Sequence, residues 1–433
     1  MKNTKVFILI FLFCSVYSQE NTFFITSQIF QDNNEMYNYD MNTEGVVSLK
    51  NRYSNIIGFE NKTSKNSFEI SFLINSNPKI YNAFYESKSR KIDIKFGKFN
   101  VPNKSYISNL SSGHPFISKN SPPILGVDFS NSFEFHNYLI GYNFYNAEMI
   151  SQDQYLWNVS YTRNIITKYI DNPFLHVKSF FIEKKIRNST FSFKINHGAI
   201  WGGTVEKNGN QTSYPKNFEA FQRTVLIRSG IKNSTDDRHK IANHNGSIDL
   251  FLFKENFNIY HIRYFDDESG LLFKNKIDGL WGLELINENH KILFEYLSTK
   301  NQSGKTHIMN KSSGIDSYYW HDQYVMGWTL DKFSIGNYYI KPSDNRRELF
   351  RIAYNLKMKK SDLSIYLDYL NVFNTYGAKN IPDDFNYDKK NNEFYSKLIY
   401  NYNINKNFQI SILSYGFENQ FMLGLKISYN NNF

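Results

Sequence analysis

The sequence predicts an all-β protein, a transmembrane antiparallel β-barrel of about 18 strands, with about 16 strands as the alternative. Apolar and polar residues alternate with a period of two along much of the chain, which gives a strand one apolar and one polar face. Aromatic residues make up 18% of the chain, with 32 Tyr and 39 Phe. The mean hydropathy is nevertheless −0.52. A chain that is polar on average but rich in Tyr and Phe is typical of a barrel with aromatic girdles.

The last thirteen residues, 421–433, show this alternation most simply. Six of the seven alternate positions are apolar or aromatic, the full set being Phe421, Leu423, Leu425, Ile427, Tyr429, Asn431 and Phe433. A strand of a soluble β-sandwich would show the same pattern, so a soluble β protein remains an alternative. A closing strand that ends on Phe433 resembles the signal read by the barrel-assembly machinery, which this resemblance implies as a partner.

Residues 1–18 are predicted to be a cleaved signal peptide. Lys2 and Lys5 place positive charge ahead of a nine-residue apolar run at 6–14. That run is shorter than the roughly 20 apolar residues that a membrane-spanning helix needs. We therefore predict export to the outer membrane of a Gram-negative cell and a single barrel domain at 19–433.

The charge and cysteine content exclude several classes of site. Cys14, the only cysteine, lies in the predicted signal peptide, so the mature chain has no disulfide and no thiolate site. The net charge is +10, and loss of Lys2 and Lys5 would leave +8. The basic residues are scattered, which argues against nucleic acid as a partner and is compatible with anionic sugars or lipid headgroups. No cofactor and no metal site is predicted, because the acidic cluster 266–268 fits no known calcium-loop spacing.

The clearest strands occur late in the chain. Alternating segments at 350–358 and 363–369 are joined by a polar turn, and those at 394–404 and 408–412 are joined by another. A longer polar connection separates the two pairs. Short turns that alternate with longer connections indicate the periplasmic turns and outer loops of a membrane barrel.

One segment, 215–226, breaks the two-residue alternation. Pro215 stands where the first turn of a helix tolerates proline, and Phe218, Phe221 and Val225 recur at helical spacing. The sequence therefore predicts a short helix, either inside the barrel or capping one end.

Six segments in the middle of the chain are more distinctive than the alternation: 197–203, 243–249, 265–270, 278–282, 294–304 and 318–336. In this order and spacing they resemble the Wzi-like capsule assembly proteins, in the form common in the Bacteroidetes. The resemblance implies a monomeric, occluded barrel surrounded by outer-membrane lipid. Its role would be lectin-like and non-catalytic, holding capsular polysaccharide or a related exopolysaccharide at the cell surface after export by other proteins.

A polysaccharide site needs aromatic faces for pyranose rings, and charged or amide groups for hydroxyls and uronates. The candidates for ring stacking are Trp201, Trp320 and Trp328. The polar candidates are Arg223, Asp266, Asp267, Glu268, His321 and Asp322. For each Trp the alternative is an anchor at the membrane interface, and for the acidic cluster it is a solvated rim or an ion pair with Arg263.

Two other functional classes remain open. A porin or transport channel is favoured by cations predicted to face the lumen, namely Lys194, Arg351, Lys357 and Lys397. An enzyme needs a nucleophile, a base and an orienting group held together. Ser317 and His321 lie close to acidic residues, but their spacing fits no defined hydrolase pattern, so we predict that the protein is not an enzyme.

Overall fold

The computed structural model describes most of the chain from residue 20 to residue 432. The described residues are 20–30, 53–75, 78–89, 92–101, 105–119, 121–135, 138–148, 168–171, 173–207, 210–227, 242–266, 268–275, 277–304, 316, 318–321, 324, 327–330, 333–341, 345–374, 376, 388, 390–417 and 420–432. The predicted signal peptide and Phe433 lie outside them, so both remain predictions.

Eighteen antiparallel strands form one sheet. The first nine are β1 (Glu20–Phe30), β2 (Tyr53–Lys62), β3 (Asn66–Ile74), β4 (Lys79–Ser87), β5 (Asp93–Phe99), β6 (Ile124–Phe135), β7 (Tyr138–Glu148), β8 (Phe174–Ile186) and β9 (Ser189–Trp201). The second nine are β10 (Ala242–Lys254), β11 (Phe257–Phe265), β12 (Gly279–Ile286), β13 (His290–Ser298), β14 (Arg347–Lys357), β15 (Ser361–Phe373), β16 (Lys390–Asn403), β17 (Phe408–Phe417) and β18 (Gln420–Asn432).

The sheet closes on itself. Strand β1 pairs with β2 on one side and with β18 on the other, in a register that runs from Thr22 opposite Asn432 to Phe30 opposite Gly424. Each strand between them pairs with the strand before it and the strand after it. Closure leaves no unpaired sheet edge, which is the condition for a β-structure in lipid. The prediction of 18 strands is confirmed, and the 16-strand alternative is wrong.

The connections differ in length at the two ends of the barrel. Hairpins after even-numbered strands are short, such as 187–188 between β8 and β9 and 255–256 between β10 and β11. Connections after odd-numbered strands include the longest, at 100–123, 149–173, 202–241 and 299–346. This is the pattern that the sequence predicted, and in outer-membrane barrels the long loops face outside the cell.

Alternate side chains face outward on the strands whose side chains the structure describes. On β18, Phe421 and Leu423 are exposed, while Met422 between them is buried. On β14, the exposed fractions of Phe350 and Ile352 are 48% and 51%, although both side chains are apolar. Exposed apolar side chains at every second position form the outer surface that acyl chains cover in a membrane barrel.

Helix α1, Phe218–Val225, lies outside the lumen. Its Phe221 ring packs against Trp201, with ring centroids 5.9 Å apart. Trp201 belongs to the same alternating set of β9 as Ile195, which is exposed on the outer surface. The internal position is therefore wrong, and the helix lies at the long-connection end, against the outer wall of β8–β10.

The remaining elements are short and lie in the long connections. They are a three-stranded sheet of Lys168–Asp171, Thr204–Lys207 and Asn210–Ser213, a hairpin of Thr329–Leu330 and Phe333–Ser334, and helix α2, Glu268–Leu271. Within the described residues, no helix has the length and apolar character needed to cross a bilayer.

Substitution of Ile352 by Arg should destabilise the barrel, because the new charge would face acyl chains in the middle of β14. The expected loss is ~2–4 kcal/mol in the free energy of unfolding, measured by urea titration of protein refolded into phospholipid vesicles. Met358→Arg provides the matched control, since Met358 lies on the same face at the short-turn end and should lose at most about 1 kcal/mol. Equal losses for the two variants would contradict this assignment of the outer face.

Candidate functional site

Two of the long connections fold back into the lumen. We call their described residues within 105–119 and 318–341 the first and second plug segments. Buried side chains of both segments join one apolar cluster with inward-facing side chains of the wall. The plug contributes Leu110, Phe116, Tyr318, Tyr319, Trp328, Ile335 and Ile340, and the wall contributes Ile200, Leu280, Leu297 and Leu349, among others. The lumen therefore contains a packed core.

Carboxylates of the wall hold the first plug segment. Glu295 on β13 accepts hydrogen bonds from the Ser111 hydroxyl at 2.5 Å, the Ser112 backbone N–H at 2.8 Å and the Tyr260 hydroxyl at 2.7 Å. Two further wall carboxylates contact the same segment: Glu284 accepts from Ser108 at 2.6 Å, and Asp249 lies 3.0 Å from Nε2 of His114. Because these groups are buried, each contact satisfies a polar atom that would otherwise be costly to desolvate.

The two plug segments also hold each other. The Trp328 indole N–H donates to the carbonyl of Phe116 at 2.6 Å, and the two rings stack with centroids 5.5 Å apart. Gly198 on β9 makes room for this pair, since a Cβ there would lie 2.7 Å from the Trp328 ring. Trp328 is 0% exposed. In this structure Trp328 packs within the plug, and its predicted role as a sugar platform stays a prediction.

Two other candidates lie on the outer wall. Trp201 is buried beneath α1 between Phe174 and Phe221, with ring centroids 5.0 Å and 5.9 Å away. Arg223 is on α1 itself, where it forms an ion pair with Glu219 at 2.9 Å. Neither side chain faces the lumen, and the Trp201 ring is covered by α1. The structure therefore separates both residues from the other candidates.

The remaining candidates lie at the long-connection end. Trp320 and His321 are half-buried in the second plug segment, where Nδ1 of His321 accepts from the Tyr324 backbone N–H at 3.3 Å. Asp266 is half-buried just after β11. Asp267 and Asp322 are outside the described residues, as is the side chain of Glu268. Among the residues that the structure describes, no group of three or more His, Cys, Asp or Glu is placed to hold a metal ion.

Asp278 orders the connection that leads into the second plug segment. Its carboxylate accepts from the backbone N–H groups of Asn301 and Gln302 at 3.0 Å and 2.7 Å, and from the hydroxyls of Ser298 and Tyr318 at 3.0 Å and 3.1 Å. Burial raises the pKa of Asp278, and these four hydrogen bonds oppose the rise. These hydrogen bonds fix Tyr318 at the start of the second plug segment.

A cavity of about 720 Å³ remains between the first plug segment and the wall at β14–β17; we call it the lumen cavity. Pockets for small ligands typically have volumes of about 300–1,000 Å³. Its lining combines tyrosine rings with cations and small polar side chains. The rings are Tyr81, Tyr338, Tyr366 and Tyr415, and the charged residues are Lys119, Arg351, Lys397 and Asp368. This lining provides the aromatic faces and hydrogen-bonding groups that a polysaccharide site needs.

Arg351 and Asp368 form an ion pair in the cavity wall, so their two charges cancel. Arg351 donates to both carboxylate oxygens of Asp368, from Nε and Nη2, each at 2.6 Å. Asp368 also accepts from the Tyr339 hydroxyl, and Nη1 of Arg351 donates to the carbonyl of Leu110 at 3.3 Å. A bidentate pair of this kind is both strong and rigid. Its further bonds, to the Tyr339 hydroxyl and the Leu110 carbonyl, hold the plug against the wall.

The sequence located this cavity only in part. It placed Arg351 and Lys397 in the lumen by alternation, but it missed Tyr366 and Tyr415 as candidates for ring stacking. A signal for Tyr366 did exist. Leu367 and Tyr369 are exposed on the outer face of β15, and Tyr366, at the opposite parity, must lie on the inner face. By contrast, Lys119 and Tyr338 belong to the plug, whose course no local pattern predicted.

Substitution of Glu295 by Ala should loosen the first plug segment, because the Ser111, Ser112 and Tyr260 donors would lose a buried acceptor, at about 1–3 kcal/mol for each unsatisfied group. Amide hydrogen exchange of residues 108–118, measured by mass spectrometry on the detergent-solubilised barrel, should become faster. Glu288→Ala, in the exposed turn between β12 and β13, is the control and should leave this exchange unchanged. Unaltered exchange in the Glu295 variant would show that the plug does not depend on this carboxylate.

No protein-family profile and no curated protein matches the chain. Among solved structures it is similar to Escherichia coli Wzi, described as an outer-membrane protein involved in group 1 capsule assembly and a carbohydrate-binding β-barrel. That match covers 97% of this chain and 86% of Wzi, with a TM-score of 0.62 and 13% identity. Pseudomonas aeruginosa OccK5 matches over 96% of this chain and 98% of its own, with a TM-score of 0.44 and 11% identity. The likeness to Wzi shows that the chain has the fold of an outer-membrane β-barrel.

Proposed function

We propose that this protein binds capsular polysaccharide or exopolysaccharide and anchors it at the cell surface, without catalysis. The observation that carries the proposal is the filled lumen: the plug occupies the barrel and leaves a cavity lined by tyrosine rings, hydroxyls and cations. Tyrosine rings provide faces for pyranose rings, while hydroxyls and cations bond sugar hydroxyls and acids. A barrel fixed in the membrane would retain a polymer bound in this way.

The likeness to Wzi supports the same role. E. coli Wzi is described as carbohydrate-binding and as involved in capsule assembly, and its fold extends over nearly the whole of this chain. We extend that role to this protein because its cavity has a lining suited to a sugar. The proposal includes a leader cleaved after residue 18, insertion by the barrel-assembly machinery and a monomer surrounded by outer-membrane lipid.

A channel is the second candidate, and the filled lumen argues against it. A porin needs a continuous water-filled path through the barrel. Here Trp328, Phe116 and Ile335 belong to a packed apolar core between the walls. Of the cations that favoured a channel, Lys194 is buried and Arg351 is neutralised by Asp368.

Deletion of the gene should release polymer from the cell. The expected result is unchanged total polymer, a fall in the cell-bound fraction and a matching rise in the medium, each measured as hexose or uronic acid after centrifugation. Restoring the gene on a plasmid should return the polymer to the cell surface, which controls for effects on synthesis. Unchanged cell-bound polymer in the deletion strain would overturn the proposal.

The purified protein should be electrically silent in a planar lipid bilayer, since the plug blocks the path for ions. Single-channel recording in 1 M salt, a condition chosen to favour detection, provides the measurement. An outer-membrane porin inserted in the same bilayer serves as the positive control. Large and steady conductance steps from this protein would favour the channel instead.

A further inference from the structure

The outer wall of the barrel carries polar side chains at the long-connection end of three neighbouring strands. His176 on β8 and His244 on β10 both lie opposite Ala199 of β9, so they share its face. His197 belongs to the same alternating set of β9, and this set includes Ile195, which is exposed on the outer surface. A bare wall at this level would therefore present imidazole rings to lipid, where ionisable groups are costly.

Helix α1 covers these histidines. Its Phe221 ring packs edge-on against His176, with ring centroids 6.0 Å apart. The ammonium group of Lys178, on the same face of β8, donates to the carbonyl of Val225 at the C-terminal end of the helix, where a cation is favoured. The exposed apolar side chains of this region are Phe218, Leu226 and Ile227. The helix thus replaces a polar stretch of wall with a partly apolar surface.

The helix runs along the wall from the mouth of the barrel toward the membrane interior. Near its N-terminal end, Nζ of Lys216 lies 5.2 Å from the centroid of the Phe174 ring, at the start of β8. Its C-terminal end meets Lys178, farther along the same strand. The stretch of strand from 174 to 178 spans about 13 Å, or roughly 10 Å of depth at the tilt of barrel strands. Interfacial helices bury their apolar face about 5–10 Å into the boundary between headgroups and acyl chains, which is a comparable depth.

The segment after α2 covers the next strand in the same way. Arg263 of β11 lies opposite Ile248, which in turn lies opposite Ile195, so Arg263 also faces outward. It is nonetheless buried, because its guanidinium lies 4.3 Å from the centroid of the Phe273 ring and donates to the side chain of Asn275. Here too exposed side chains are apolar, among them Leu272, Phe273 and Ile277. We call these three, together with Phe218, Leu226 and Ile227, the collar.

Two collar residues have a backbone conformation that favours glycine. Ile227 follows α1 with a φ of 54°, and Phe273 follows α2 with a φ of 59°. Glycine or asparagine is usual at such a position after a helix, and a bulky side chain there is strained. The two side chains are nevertheless 55% and 61% exposed, so about half of each touches no part of the protein. Strain that is kept for an exposed apolar side chain points to a partner outside the chain.

From these observations we infer that the collar is seated in the outer leaflet of the bilayer, with its apolar side chains against acyl chains. The collar continues the apolar outer surface of the wall, since Trp281 on β12 is exposed and its indole N–H donates to the carbonyl of Ile277 at 3.1 Å. Exposed Lys216 and Lys274 stand next to collar residues in the chain, and their charge complements the phosphates of lipid headgroups. Both features favour lipid over a protein partner, whichever ligand the lumen binds.

Spin labels measure the depth of the collar. In a Cys14→Ser background the chain has no cysteine, so a nitroxide can be attached at Ile227→Cys or at Phe273→Cys alone. The protein is refolded into vesicles of phosphatidylcholine and phosphatidylglycerol. Electron paramagnetic resonance then measures collisions of the label with oxygen, which concentrates among acyl chains, and with a nickel chelate, which stays in water. The oxygen-to-nickel ratio should be at least about fivefold higher at both collar positions than at Glu288→Cys, in the exposed turn between β12 and β13.

Two further labels complete the experiment. Ile352→Cys is the lipid reference, because Ile352 lies on the outer face of β14. Leu226→Cys tests the same collar surface if substitution of Ile227 prevents folding, since Leu226 is exposed and has an ordinary φ of −90°. The unfolding temperature of each variant is measured alongside, so that a misfolded barrel is recognised.

Each outcome decides the inference. A high oxygen-to-nickel ratio without spin–spin broadening supports a collar seated in lipid. A ratio equal to that of Glu288→Cys would place the collar in water and overturn the inference. Spin–spin broadening that disappears on dilution with unlabelled protein would also overturn it, because a second copy of the chain would then cover the collar.

Discussion

Closure of the backbone hydrogen-bond ladder is the constraint on which the rest of this structure depends. In lipid an unpaired N–H or C=O group costs several kcal/mol, so a sheet is stable there only without edges. The pairing of β1 with β18 satisfies that condition with the first and last strands of the chain. Once the sheet is closed, alternation assigns every second side chain to lipid and the others to an enclosed interior. The polar wall residues that hold the plug are a direct result.

Several buried polar groups of the plug and the wall satisfy one another, and these contacts stabilise the interior. Glu295 would be costly to bury alone, and so would the hydroxyls of Ser111 and Tyr260. Each satisfies the others inside the barrel. The Arg351–Asp368 pair follows the same rule, with both charges buried and the geometry bidentate. Plug and wall are therefore one cooperative unit, and the cavity between them keeps a defined shape.

The sequence predicted the features that depend on local pattern. The faces of β14 and β18, the short turns and the helix at 218–225 follow from periodicity, because each is decided by residues close together in the chain. The plug could not be found in that way. Ser111 and Glu295, for example, are 184 positions apart, and only the closed barrel brings them together. For the same reason the sequence recognised Trp328 as an aromatic candidate but could not show that Phe116 covers it.

Helix α1 makes the outer surface of the barrel unequal around its circumference. It covers Trp201 and Ala242 at the upper ends of β9 and β10, so acyl chains cannot reach those ends. Phe218 and Ile227 instead present apolar surface farther from the barrel axis. Lipid beside α1 therefore contacts a different surface from lipid beside the bare strands β14–β18. A bilayer adapts to differences of this kind by local thinning or by tilt of the protein. The same barrel thus presents two kinds of outer surface, one covered by a helix at β8–β10 and one of bare strands at β14–β18.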